Sequence, residues 1–445
     1  MASELFPLPL TPFEFYYWCD DRPDYPTTFP LELVFRGQLQ REAMETAVRV
    51  CLDRHPLLAA NLDATPGQFP RWVKAQVCPL PLDWAESRIP IDHAAGRTID
   101  LTKDVGVRLW VRASAEQSRL VIQFHHACCD ALGGLQFVAD ILVAYDSAVA
   151  GADPVAKLPA LDPERLSMRG DYGLTEAGYR PNWRDTWMTA DSWFRRLLSR
   201  PALVAAPREQ PPPAPTAGAD LGYIAHTLTE EERDRLQARA SRSGAGVNDL
   251  LLAEFLVTLR DWNRKHSGDH RRLVVNVPVS LRSRSDQRLP ATNVLGFWFL
   301  GRTPRKCDDA EGLVNGIRDE MEAVRKWRLP LYFMGGLGYA CRFPRMIRWM
   351  LRSNRSFATA VLSNSGRALA RLPLEHEHRK WISGGAVLER ITGVPPIRPG
   401  TRVSVIVAKY AYDMYITLHW DALALAQPAA QELLAAYVQR LTRVT

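Results

Sequence analysis

Hydrophobic and polar positions along this chain change period repeatedly, and each change predicts an element. "LELVFRG" (31–37) alternates with a period of two, as a strand with one buried face does. "QREAMETAVRVCLDRHP" follows, with Ala43, Met44, Ala47, Val48, Cys51 and Leu52 on one helical face until Pro56 stops it. "VRLWVRA" (107–113) and "RLVIQFH" (119–125) predict a hairpin with Leu120, Ile122 and Phe124 on one side. "GGLQFVADILVAYDSAVAG" then spaces Leu135, Val138, Ile141, Leu142 and Tyr145 as the buried face of a helix. The polar stretch "QFHHACCDALGG" (123–134) begins where the strand ends, so its cluster of chemistry-bearing groups falls on the turn before the helix.

The second half repeats this mixture. A capping box from Thr229 to Glu232 opens one helix, "NDLLLAEFLVTLRDWN" starts another at Asn248, and "LVVNVPVSL" (273–281) reads as an apolar strand. "TRVSVIVAKYAYDMYITLHWD" reads as two strands. Between the halves, the Pro- and Ala-rich segment 199–220 has no hydrophobic period and reads as a linker. The organisation expected is an N-terminal lobe over 1–198 and a C-terminal lobe over 221–445, both mixed α and β. Glycine-rich "MGGLG" (334–338) follows no evident strand and lacks the Walker lysine, and it reads as a turn.

Composition narrows the class. Of 445 residues 47% are apolar and 24% charged, and the mean hydropathy is −0.19, as in a globular chain. No run of uncharged apolar residues is long enough to cross a bilayer, and Glu4 with no basic cluster argues against a secretory signal. The seven cysteines are scattered without a CxxC pair, which suits a reduced, cytoplasmic enzyme without zinc. The net charge of +7 rests on arginine, but no RNP motif, zinc-finger spacing or basic arm accompanies it. The expectation is no nucleic-acid partner; an acidic ligand such as a phosphorylated cofactor fits the charge equally well.

The turn at 125–130 is the strongest candidate for chemistry. Adjacent side chains on an extended backbone point to opposite faces, so one of His125 and His126 can enter a cleft while the other supports the scaffold. A neutral imidazole there can take a proton from a hydroxyl or amine attacking a carbonyl. Asp130 could orient that ring or bind an arginine and hold the turn in shape. Two rival chemistries use the same residues: Cys128 or Cys129 as a thiolate nucleophile, and a metal held by His125, His126 and Asp130. The divergence of neighbouring histidines and the absence of HxH or HExxH weigh against the metal.

"HHACCDA" resembles the HHxxxDG signature of the acyltransferase superfamily that includes condensation domains of nonribosomal peptide synthetases, bacterial wax ester synthases, BAHD enzymes and chloramphenicol acetyltransferase. Companion segments occur in the family's order. "GVNDLLLAEFLVTLR" (246–260) and "LSNSG" (362–366) are similar to wax synthase elements, and "VPVSLRSR" (277–284) with "NVLGF" (293–297) resembles the arginine-bearing strand and Asn-x-x-Gly. The resemblance runs from Arg54-His55 to Asp421. It implies two chloramphenicol acetyltransferase-like lobes with an active-site tunnel between them. It also implies His126 as general base, His125 as its support, and Asp130 bound to an arginine, Arg282 or, as an alternative, Arg54.

Ser363, Asn364, Trp298 and Asn293 are the candidates for oxyanion or tunnel roles. The implied reaction moves an acyl group from acyl-CoA or an acyl carrier protein's phosphopantetheine arm to a hydroxyl or amine of a small-molecule or lipid acceptor. No acyl-enzyme or permanently bound cofactor is needed. Two departures stand out: Ala131 replaces the motif glycine, and the DFGWG motif of plant BAHD enzymes is missing. The alternative is a catalytically degenerate relative that binds a carrier protein or lipid. The stretch 327–355, rich in aromatic residues and arginine, reads either as a peripheral membrane contact or as core helices with basic outer faces.

Overall fold

Two sheets of different strand order organise the protein. The computed structural model describes residues 5–91, 98–175, 200–208, 222–352 and 355–443. The first half contains β1 (Leu8–Pro9), α1 (Pro12–Asp20), β2 (Thr28–Arg36), α2 (Arg41–Arg54), β3 (Ala60–Asp63), β4 (Arg71–Lys74), β5 (Leu82–Glu86), β6 (Val107–Ala113), β7 (Gln117–His125) and α3 (Ala131–Val149). The second half begins with β8 (Tyr223–Thr227), α4 (Glu230–Arg242), α5 (Val247–Lys265), β9 (Leu273–Ser280), β10 (Leu295–Arg302) and α6 (Ala310–Lys326). It continues through α7 (Pro330–Ala340), α8 (Pro344–Arg352), β11 (Ala360–Arg367), β12 (His376–Glu377), β13 (Lys380–Ser383), β14 (Ala386–Gly393), β15 (Val403–Tyr410), β16 (Asp413–Trp420) and α9 (Gln427–Thr442).

The first sheet runs β12-β13-β14-β2-β7-β6-β5 and the second runs β10-β9-β11-β15-β16-β8, with a small sheet β1-β4-β3 beside the first. In the first sheet the alternation of β7 acts as its sequence implies: Leu120, Ile122 and Phe124 are fully buried and face Val111, Leu109 and Val107 across the ladder. α2 buries the six residues of its predicted face, and α3 lies against it, burying Val138, Ile141, Leu142 and Tyr145. Among the described residues α3 is the one helix long and apolar enough to cross a membrane, and most of it is buried inside the fold.

The lobes are interlocked rather than divided cleanly along the chain. β14, from the C-terminal half, pairs antiparallel with β2, placing Leu388 opposite Phe35 and Ile391 opposite Leu33. This pairing covers what would otherwise be an open edge of the first sheet. The Pro/Ala segment also begins as part of a lobe: Ala202 and Val204 are fully buried in the second core, and Trp262 Nε1 donates to the Ala205 carbonyl at 2.9 Å. Residues 199 and 209–220 of the expected linker lie outside the described residues. The expectation of a turn at 334–338 is corrected, since these residues lie inside α7. Pro330 starts that helix, and burial of Phe333, Met334 and Leu337 outweighs the poor propensity of its glycines.

Candidate active site

The candidate site is built where β7 hands over to α3. The strand fixes His125, whose backbone N–H donates to the Gly106 carbonyl at 2.9 Å. His126 has left the ladder, and its N–H donates to Thr27 O at 2.8 Å. The two rings then occupy different surroundings. His125 is buried; its Nδ1 accepts the Ala127 N–H at 3.0 Å, which leaves the Nε2 side facing Asp21 Oδ2 at 3.7 Å. The His126 ring stacks on Tyr17, with centroids 4.0 Å apart and planes 10° apart, and Phe29 closes its other side at 4.9 Å. Burial drives the His126 pKa down to about 4, against the opposing pull of the Asp130 charge, so the imidazole is neutral at physiological pH.

Asp130 turns away from that ring. It caps α3 by accepting the Gly133 N–H at 2.8 Å and takes the Val294 N–H at 2.9 Å. Arg282 completes the set with a bidentate pair, Nη1 to Oδ2 at 2.7 Å and Nη2 to Oδ1 at 2.9 Å. Burial acts to raise the Asp130 pKa, but Arg282 and these N–H donors overcome it and hold the carboxyl below its ordinary range. Asn293 adds a second clamp, donating from Nδ2 to the carbonyls of His126 (2.8 Å) and Ala127 (3.0 Å). The loop between β9 and β10 therefore grips the histidine turn at three consecutive residues: Thr292, whose carbonyl accepts the Asp130 N–H at 3.5 Å, Asn293 and Val294. Packing there is close: a Cβ on Gly133 would sit 3.0 Å from the Thr292 backbone. Ala131 is the first residue of α3 and is absent from the positive-φ positions, so the departure from the motif glycine carries no backbone strain.

Beside the histidine lies an apolar cavity between the lobes. α1 contributes Tyr16, β9 Asn276, β10 Phe297 and Phe299, α7 Phe333, α8 Met350 and β11 Val361. Tyr17 packs on both His126 and Phe297, so one layer of rings separates the imidazole from the cavity. Asn276 Oδ1 is buried there without a hydrogen-bond partner among the described residues, so it offers an acceptor on a mostly apolar wall. Arg398, also on the cavity wall, is held by Asp20 at 2.7 and 3.0 Å.

The remaining candidates separate. Arg54 meets Asp140 at 3.0 Å rather than Asp130. Trp298 is not an oxyanion donor in this geometry, because it points to the other face of β10 from Phe297 and donates Nε1–H to Glu320 Oε1 at 2.8 Å. Asn364 is exposed and bonds Asn248 Oδ1 at 3.2 Å. Ser363 lies two residues beyond Val361 and so shares its cavity-facing side of β11. Cys128 and Cys129 are fully buried, and burial pushes both thiols well up, which removes the thiolate reading. Among the described residues no group of three or more His, Cys, Asp or Glu is arranged to hold a metal ion. Sequence reasoning missed Tyr16, Tyr17, Asn276 and Arg398; the aromatic cluster "FEFYYW" was the one visible signal for the first two.

Two interlocked lobes, a histidine turn between them and a cavity at their junction make this the condensation-domain fold of the chloramphenicol acetyltransferase type. The first condensation domain of the calcium-dependent antibiotic synthetase, solved with a substrate analogue, superposes with a TM-score of 0.70 over 98% of this chain and 96% of its own, at 13% identity. The starter condensation domain of rhizomide synthetase, solved with C8-CoA, gives 0.68 over 99% and 95% at 13% identity. The X-domain from teicoplanin biosynthesis gives 0.66 over 98% and 94% at 18% identity. In sequence, an uncharacterised protein of Mycobacterium tuberculosis is 26% identical over 391 residues, 81% of this chain and 83% of that one. The isonitrile lipopeptide synthase of the same organism is 29% identical over 284 residues, 60% of this chain and 10% of the synthase. No protein-family model matches.

Proposed function

We propose that the protein is an acyltransferase in which His126 is the general base. The observation that carries this reading is a neutral, buried imidazole held at the junction of two lobes, with one layer of rings between it and an apolar cavity. Its turn is fixed by Asp130–Arg282 and by Asn293, so the catalytic ring is positioned before substrate arrives.

In the proposed reaction His126 takes the proton from an acceptor hydroxyl or amine as that atom attacks the thioester carbonyl. The tetrahedral intermediate collapses with cleavage of the carbon–sulfur bond, and the imidazolium returns its proton to the departing thiolate, so no net proton is gained or lost. The donor is acyl-CoA or an acylated phosphopantetheine arm, and the acceptor a small molecule or lipid. Ser363, on the same side of β11 as the cavity-lining Val361, is the oxyanion candidate of this proposal. Burial against Tyr17 and Phe29 outweighs the pull of the Asp130 charge and keeps the His126 imidazole unprotonated and ready to accept.

The test is thiol release from acyl-CoAs of increasing chain length with mixed alcohol and amine acceptors, comparing wild type with His126→Ala. Acceptor-dependent release lost in the variant supports the reading; equal release from both proteins removes His126 as base. Silence from both calls for the same comparison with an acylated carrier protein, and silence there leaves a binding role.

A further inference from the structure

We propose that α8 and the end of α7 form a docking face for an anionic lipid bilayer, set against the wall of the substrate cavity. α8 buries Ile347 and Leu351 completely on its inner side. Its outer side does not become polar in return. Phe343, the residue before α8, is 51%, Met346 50% and Trp349 73% exposed, each three residues from the next, so they form one ridge along the helix and its entry. Tyr339, 62% exposed at the end of α7, extends the ridge through a ring contact with Phe343 at 6.1 Å.

Cations flank this ridge. Arg342 lies over the Tyr339 ring at 5.4 Å, Arg345 and Arg352 are exposed beside Trp349, and Arg348 covers Trp18 at 5.0 Å. The sequence supplies no counter-charge: from Ala323 to Leu374 there is no Asp or Glu, against ten Lys and Arg. Protruding tryptophan and phenylalanine with arginines around them suit the boundary between headgroups and acyl chains, where rings sit in the apolar layer and guanidinium groups meet phosphates. Ten cations with no acidic residue among them complement a uniformly anionic surface, and this one-signed charge favours a bilayer over a protein of mixed charge.

The same helix reaches the substrate site. Met350, next to Trp349, lines the cavity together with Phe333 of α7. A bilayer engaged by Trp349 would thus lie one residue away from the wall of the cavity, which suits an acyl or lipid substrate of low water solubility.

The experiment is vesicle flotation of the full chain with phosphatidylcholine alone and with phosphatidylcholine containing phosphatidylglycerol. The expected result is flotation with the anionic vesicles, and quenching of tryptophan emission by lipid brominated in its acyl chains, reduced in Trp349→Phe. Arg345→Glu with Arg352→Glu should lower partitioning by roughly 25-fold or more, from roughly fivefold per cation. Phe343→Ala with Trp349→Ala should lower it on the order of tenfold. All of these positions are exposed, so unchanged melting temperatures verify the fold. Absence of flotation overturns the proposal. So does flotation that responds to the charge reversals but not to Phe343→Ala with Trp349→Ala, the behaviour of an acidic-protein contact or of simple electrostatic adsorption. Binding is read without turnover, so this result is independent of the proposed reaction.

Discussion

Replacing Arg282 by alanine tests how the histidine turn is held. Asp130 is 1% exposed and receives four hydrogen bonds, two of them from Arg282 at 2.7 and 2.9 Å. The substitution leaves the carboxylate with only the Gly133 and Val294 N–H groups. Removing one partner of a buried ion pair costs about 3–5 kcal/mol, because the remaining charge is uncompensated. For the interlocked chain unfolding as one unit, with an unfolding entropy of about 2.1 cal/mol/K per residue, 3 kcal/mol corresponds to a fall in melting temperature of roughly 3 °C.

The pH dependence of this loss gives a second, sharper reading. In the wild type the Asp130 carboxyl titrates below its ordinary range, so its contribution is present above that range and is lost only as the solution becomes strongly acidic. Without Arg282 burial dominates and raises the folded-state value above the unfolded one. A group shifted in that direction stabilises the fold at low pH and loses its contribution as pH rises. The gap between variant and wild type should therefore be wide at pH 8 and narrow toward pH 5 in calorimetry. A loss under about 1 kcal/mol, or a gap independent of pH, would refute the account of Asp130 as a buried ion held by Arg282.

Four further outcomes are expected. His126→Ala should lower kcat/KM by about 10²- to 10⁴-fold with little change in melting temperature; loss of less than about tenfold in single-turnover acyl transfer excludes a general-base role. With the His126 pKa near about 4, kcat/KM should stay level from neutral pH down to about 5 and fall only below that, whereas an acid limb near 6.5 would place the base elsewhere. Gly133→Ala puts a Cβ 3.0 Å from the Thr292 backbone and 3.1 Å from Cys129 Cβ, and should cost about 1–3 kcal/mol by urea unfolding. His55→Leu removes the acceptor of the Ala291 N–H (2.8 Å) and one of two partners of Asp140 (3.1 Å), the other being Arg54. It should cost about 1–3 kcal/mol in the same assay and, on the proposed role of His126, lower kcat more than it changes KM, since Ala291 opens the loop that clamps the histidine turn.

Local pattern was sufficient for much of this protein. The β6–β7 hairpin, the buried faces of α2 and α3, and the Thr229 capping box follow from periods and caps that operate over a few residues, and they fold as the pattern implies. The polar turn at 125–130 was legible for the same reason: a strand ending in two histidines and a helix beginning after an aspartate place those groups at one junction whatever lies around them. Contacts between distant segments carry no such period. That Asp130 belongs to Arg282 and Arg54 to Asp140, that Trp298 spends its N–H on Glu320, and that β14 crosses to pair with β2 are decided by which surfaces meet when the lobes close. The glycines of α7 show the same limit from the other side, since local propensity pointed to a turn and burial made a helix. Sequence alone thus determined the elements and the chemistry available at one turn. Tertiary packing decided the partner of each charge, the ring stacked on His126 and the cavity beside it, because burial and long-range pairing are properties of the assembled chain.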